Sequence, residues 1–278
     1  MASAAVDVFD ELPRIEKEKL SRFQNGRYKR IEYIELLGKT DGEDQLPDGD
    51  HGYVFKVRID RVLYALKIFR FFDIEEALAM LDPAGRSLVT PEEVEGQTNP
   101  FYAECRAYAK IAAKTKSRVS SVAIACHGFV SIPAKMETVL ARRFNITDWN
   151  RPEAELSLNP TQRQPFRALV KDLVETDPIV TPELIPLMRR ELKALNRFGI
   201  YVMDVKWRNY KGGHLVDFSS AWTKPHHEFR RDINSAEDIA MLKEIDLVAF
   251  EEMVKDDLGI VVSPPKVHYL RPRKLREV

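Results

Sequence analysis

Phe198-Gly-Ile-Tyr-Val-Met-Asp204-Val-Lys206-Trp-Arg-Asn209-Tyr-Lys-Gly212-Gly213-His-Leu-Val-Asp217-Phe218-Ser219-Ser220 concentrates more chemistry than any other part of the chain. Asp204, Lys206 and Asn209 fit D-x-K-x-x-N. A Gly212-Gly213 turn follows, and the apolar run Leu215-Val216 delivers a second carboxylate, Asp217. One hairpin therefore brings together two carboxylates, an amide and an amine. The plainest alternative is a surface hairpin with ordinary charges, so the weight of the stretch depends on partners elsewhere in the chain.

Phosphoryl transfer uses this inventory: a carboxylate for the acceptor hydroxyl, an amine to offset charge on the moving group, and an amide with a carboxylate to hold magnesium. On these residues the stretch resembles the protein-kinase-like superfamily. The resemblance puts Asp204 in the catalytic-aspartate position, Asn209 in the metal-binding asparagine position, and Asp217-Phe218-Ser219 where kinases carry D-F-G.

Upstream segments supply counterparts in matching order. Arg30–Lys39 reads as a strand, and Gly52-Tyr53-Val54-Phe55-Lys56-Val57 alternates as a second. Between them only Gly49 and Gly52 fit the G-x-x-G-x-V half of a glycine-rich phosphate loop, with Pro47 where a first glycine would stand. Arg61–Phe69 reads as a third strand, in which Tyr64-Ala65-Leu66-Lys67 resembles V-A-I-K. Asn99-Pro100 opens a helix whose stripe of Phe101, Cys105, Tyr108 and Ile111 sets Glu104 beside the sheet, where it can brace Lys67. A further helix is expected over Ile74–Leu81, with Glu92, Glu93 and Glu95 in a solvated connection.

Val119–Ile132 reads as a strand, turn and strand with His127 in the turn. Val139-Leu140-Ala141 reads as the last strand of an N-terminal lobe, and Arg142–Asn145 as a hinge over adenine. Pro165–Val174 reads as a helix. Thr181-Pro182-Glu183 opens a helix through Leu184, Met188, Leu192 and Leu195 that Gly199 ends. Val6–Phe23 is amphipathic, and a helix is expected from Asp238 to Val254. The resemblance thus implies an α+β, bilobal fold. Residues 1–29 form a helical extension, 30–145 an N-lobe of antiparallel sheet with one helix, 146–262 a shortened helical C-lobe, and 263–278 a basic tail.

Composition bounds the partners. Acidic and basic residues number 43 each, so nothing in the overall charge calls for a nucleic-acid coat. No apolar run spans a bilayer, the N-terminus carries no secretory signal pattern, and the two cysteines, Cys105 and Cys126, lack metal-ligand spacing; the expectation is a cytosolic or nuclear protein without a membrane partner.

Departures from the family pattern are informative. Tyr201-Val202-Met203 precedes Asp204, and Met203 cannot receive a phosphorylated loop, because that docking needs a guanidinium. Ser219 replaces the D-F-G glycine, and no A-P-E follows. The Tyr-Val-Met-Asp-Val-Lys-Trp-x-Asn wording and the short second lobe also resemble fungal kinase-like proteins labelled for similarity to a Sim4 kinetochore-complex subunit.

Three functions follow from the resemblance. The first is an ATP- and Mg2+-dependent phosphotransferase with a small-molecule or non-standard acceptor. In it Lys67 holds phosphates, Glu104 orients Lys67, Asp204 positions the acceptor, Lys206 offsets charge, and Asn209 and Asp217 ligate the metal. The second is a nucleotide-binding pseudokinase or scaffold in a protein complex. The third is aminoacyl-tRNA-dependent cyclodipeptide formation, with tRNA held by the basic tail.

Overall fold

The computed structural model describes residues 12, 18–26, 30–38, 51–81, 83–115, 122–175 and 181–259. Gly49, most of the N-terminal extension and the basic tail lie outside them.

Three strands open the architecture: β1 (Ile31–Leu36), β2 (Gly52–Ile59) and β3 (Val62–Phe69), paired antiparallel in chain order. Three helices follow, α1 (Ile74–Ala79), α2 (Pro83–Arg86) and α3 (Pro91–Thr98), before the long α4 (Pro100–Lys114). The Asn99 side chain accepts the Phe101 N–H at 3.1 Å, which starts α4 where the Asn-Pro pair predicts. Thr90 caps α3 through the Glu93 N–H. The connection expected to be solvated is thus helical, with Glu92 exposed but Glu93 and Glu95 half-buried.

The chain then departs from the sequence reading. Within Val119–Ile132 the described residues form one strand, β4 (Cys126–Ile132), and His127 lies in it, beside a register shift at Gly128. Val139-Leu140-Ala141 belongs to a helix, α5 (Met136–Phe144), because Met136, Leu140 and Phe144 fall one turn apart and pack together on the sheet. Arg142–Asn145, expected as a hinge, is the last turn of α5 with its left-handed cap Asn145. A short α6 (Glu153–Leu156) follows. Phe166–Asp172, expected as a helix, is strand β5, since Phe166, Ala168 and Val170 alternate onto one face. β5 enters between β3 and β4, giving the order β1-β2-β3-β5-β4, so the sheet-bearing lobe extends past the expected boundary at 145. The helix expected through Phe23 also fails at its end. Among the described residues 18–26, Arg22 bridges to Phe129 and the helical turn is the 3-10 stretch Phe23–Gly26.

The helical part holds α7 (Ile185–Phe198), β6 (Ile200–Tyr201), β7 (Tyr210–Lys211), β8 (His214–Leu215), β9 (Trp222–Thr223) and α8 (Ala236–Leu258). A 3-10 turn over Pro182–Leu184 precedes α7, and Gly199 caps it at φ 78°. Gly212 and Gly213, at φ 56° and 82°, make the β7–β8 turn, which requires two successive left-handed residues.

Strand alternation divides the core. Phe55, Val57, Leu66, Ile68, Ala168 and Val170 face α5 and the segment with Ile146 and Trp149. Phe69 and Leu169, of opposite parity, face α4 and join the core around Met188, Leu192, Tyr210, Phe218 and Phe250. Each fully buried aliphatic or aromatic side chain contributes about 2 kcal/mol. Lys67 and Lys171 share the parity of Phe69 and Leu169, so both amines point to the seam between sheet and helices.

Candidate functional site

Lys67 is 2% exposed on β3, and Glu104 is fully buried on α4. The Lys67 Nζ donates to Glu104 Oε2 at 3.0 Å and to Asp217 Oδ1 at 2.7 Å. Asp217 stands just after β8, so the sheet, α4 and the β7–β8 hairpin meet at one ammonium. Burial alone would lower the Lys67 pKa, but the charges of Asp217 and Glu104 and its hydrogen bonds to them outweigh that and raise it. For Asp217 burial pulls upward. Lys67, Lys171 and the Ser219 N–H at 2.8 Å overcome it and hold the carboxyl well below the usual range.

Asp204 and Asn209 lie on the loop between β6 and β7. Asn209 Nδ2 donates to the Asp204 carbonyl at 2.9 Å and to Asp204 Oδ2 at 3.1 Å, fixing the carboxylate and leaving the amide oxygen as an acceptor. Lys206 pairs with Asp204 Oδ1 at 2.7 Å, and both side chains reach solvent. The loop enters through Met203, at φ 64°, a conformation rare for a residue with a side chain. In it, successive N–H groups of Val202 and Met203 converge on Asp246 of α8, at 2.8 and 2.9 Å. Burial raises the Asp246 carboxyl to about 6, against the pull of those two donors.

Two of these residues escape the sequence reading. Asp246 is an acid inside the apolar run Ile245–Phe250, and that isolation was its signal. Lys171 is 4% exposed on β5 and donates to Glu104 Oε1 at 2.7 Å and to the Val216 carbonyl at 2.6 Å. Its signal was a lone amine on the parity of Leu169, invisible while the segment was read as a helix.

The donor set fits a hard divalent ion in chemistry: Asp217 keeps its second oxygen, and Asn209 offers an amide oxygen. Among the described residues no cluster of three His, Cys, Asp or Glu forms a self-sufficient metal cage, so such an ion would need further oxygens from a ligand. Gly52, the described member of the glycine pair, opens β2, and its neighbour His51 reaches across to Ser219, Nδ1 to Oγ 2.9 Å. The cysteines are free thiols, and burial pushes both up, Cys126 to about 12, which disfavours the nucleophilic thiolate.

A five-stranded antiparallel sheet with one long helix braced to it by a Lys–Glu pair, joined to a helical part that carries the D-x-K-x-x-N loop and the Asp-Phe hairpin, is a bilobal kinase-like fold. Among solved structures, the PAN3 pseudokinase of Neurospora crassa is similar at 10% sequence identity and a TM-score of 0.37. The match covers 84% of this chain and 48% of that one, so this chain spans about half its length. No curated protein matches the chain. The family model described as kinetochore Sim4 complex subunit FTA2 matches residues 8–222, and the chain belongs to that family.

Proposed function

We propose that this protein is a kinase-like subunit of a kinetochore-type assembly whose inter-lobe site binds a nucleoside triphosphate with a divalent cation. The observation that carries the reading is the buried Lys67 ammonium held between Glu104 and Asp217. An amine fixed by two carboxylates and directed at the seam is suited to phosphate oxygens. Lys67 binds them, Glu104 keeps Lys67 in place, and Asn209 and Asp217 hold the cation, which neutralises phosphate charge when bound. A kinetochore subunit acts in the nucleus, and the reading places the chain there. The family description supports the assembly role, and the geometry supports the ligand.

Thermal denaturation with and without Mg-ATP tests the reading. At about a hundredfold excess over Kd, binding adds about 2.7 kcal/mol, a rise in Tm on the order of 5 °C. Asp217→Asn removes the part of that rise that depends on magnesium. A wild-type Tm unmoved by Mg-ATP rejects the nucleotide.

One observation favours a second reading, phosphoryl transfer to a small, non-peptide acceptor. Met203 is kept in an uncommon backbone conformation by Asp246, and Asn209 clamps the Asp204 carboxylate that the loop presents. Strained loops of this kind are retained where position matters. Asp204 would accept or orient the acceptor hydroxyl, and Lys206 would offset the charge of the moving group. Asp204→Asn is expected to lower ATP turnover by about a hundredfold while keeping the Mg-ATP thermal shift. Equal turnover in the two proteins removes this reading and leaves the first standing.

A further inference from the structure

Glu104 is a shared carboxylate. One oxygen accepts from Lys67 on β3 and the other from Lys171 on β5, 3.0 and 2.7 Å away. Lys171 also donates to the carbonyl of Val216, the residue just before Asp217. All of Glu104 and nearly all of both amines are withdrawn from water. Two ammoniums and two carboxylates, Lys67, Lys171, Glu104 and Asp217, therefore balance inside the seam with no external ion. A carboxylate gripped at both oxygens cannot leave with α4 unless both pairs break, and stranding one buried charge is costly. The Val216 bond ties the Asp217 segment to the same side chain.

We propose that Lys171 is a positioning residue that locks α4 and the Val216–Asp217 segment in the assembled arrangement before any ligand arrives, so that Lys67 is held ready without nucleotide. β5 suits this role because it lies inside the sheet, paired on both sides, and gives the amine a rigid base. The purpose of the lock rests on the nucleotide reading above; the lock itself is observable without ligand.

Hydrogen–deuterium exchange of the full chain, wild type and Lys171→Met, each with and without Mg-ATP, tests it. In the wild type, Mg-ATP is expected to slow residues 101–109 of α4 and residues 213–219 no more, within about twofold, than it slows β1 and β2, which report the overall gain in stability on binding. In Lys171→Met both segments are expected to exchange about tenfold faster without ligand, while β1 and β2 keep their rates, and Mg-ATP slows the two segments again. Slowing of α4 by Mg-ATP in the wild type about tenfold beyond that of β1 and β2 overturns the lock, as does acceleration spread evenly over β1 and β2 in the variant. If Lys171→Met does not fold, the wild-type arm decides alone. A wild-type Tm unmoved by Mg-ATP rejects the nucleotide reading instead, and the ligand-free comparison of the two proteins still judges Lys171.

Discussion

At the scale of single residues, the side chains with the most demanding chemistry were those the sequence displayed. Lys67, Glu104 and Asp217 converge because each has one place to go: a strand-end amine, an acid beside an apolar helical stripe, and a carboxylate after a Gly-Gly turn. Lys171 and Asp246 were hidden because their meaning depends on what faces them across the fold, which no local pattern reports. Met203 shows the same dependence. Nothing in Val-Met-Asp demands a positive φ; it exists because two N–H groups are drawn to Asp246. Met203→Gly therefore relieves backbone strain and stays within about 1 kcal/mol of wild type, against the usual cost of placing a glycine. Met203→Ile sets a β-branched side chain in the left-handed region and is expected to lose about 2 kcal/mol. Urea unfolding of both variants checks the pair, and equal stabilities would contradict the account.

At the scale of elements, long periodic segments were legible and the ambiguous ones were misread in a consistent way. β2 alternates with period two, β1 and β3 are short, mostly apolar runs of strand length, and α4 and α7 carry helical stripes ended by caps. α5 and β5 were exchanged in type. Val139-Leu140-Ala141 has strand-like composition, but the spacing of Met136, Leu140 and Phe144 prevailed, since all three cover the sheet. Pro165 suggested a helix start, although the alternation after it was that of a strand. Gly128 exposes another element-level dependence. Its φ is 130°, and a Cβ there would stand 2.4 Å from the Ser21 carbonyl oxygen and 2.7 Å from the Phe23 nitrogen. The strand and the 18–26 segment can lie this close because the residue has no side chain. Gly128→Ala is expected to unseat that segment while leaving the sheet paired. Limited proteolysis should show faster cleavage near Ser21 and Arg22 with unchanged circular dichroism, and an unchanged cleavage rate would refute the dependence.

At the scale of the whole molecule, the two-lobed division was readable but its boundary was not, because β5 returns to the sheet after α5 and α6. The helical part is fastened partly by aromatic stacking: His226 lies on Trp222 at 5.1 Å and on His227 at 4.5 Å, and His227 bonds Gln97 of α3. Burial first, then His227 and Arg106, hold the His226 pKa well below 6.5. The unfolded chain thus takes up the proton first. Stability from this group is complete above pH 6.5 and falls as pH drops through it, by at most about 1.4 kcal/mol per pH unit. His226→Phe keeps the stack without the titration, so its urea midpoint should decline less between pH 7 and pH 5 than that of the wild type. Parallel declines would assign the acid sensitivity elsewhere. The placement of β5 also governs how the protein is made. Lys67 pairs with Leu169, about a hundred residues further along the chain, so an interior strand of the sheet is the last of its strands to leave the ribosome. Until then β3 and β4 wait with open backbone edges, the state in which nascent chains are captured by chaperones or by one another.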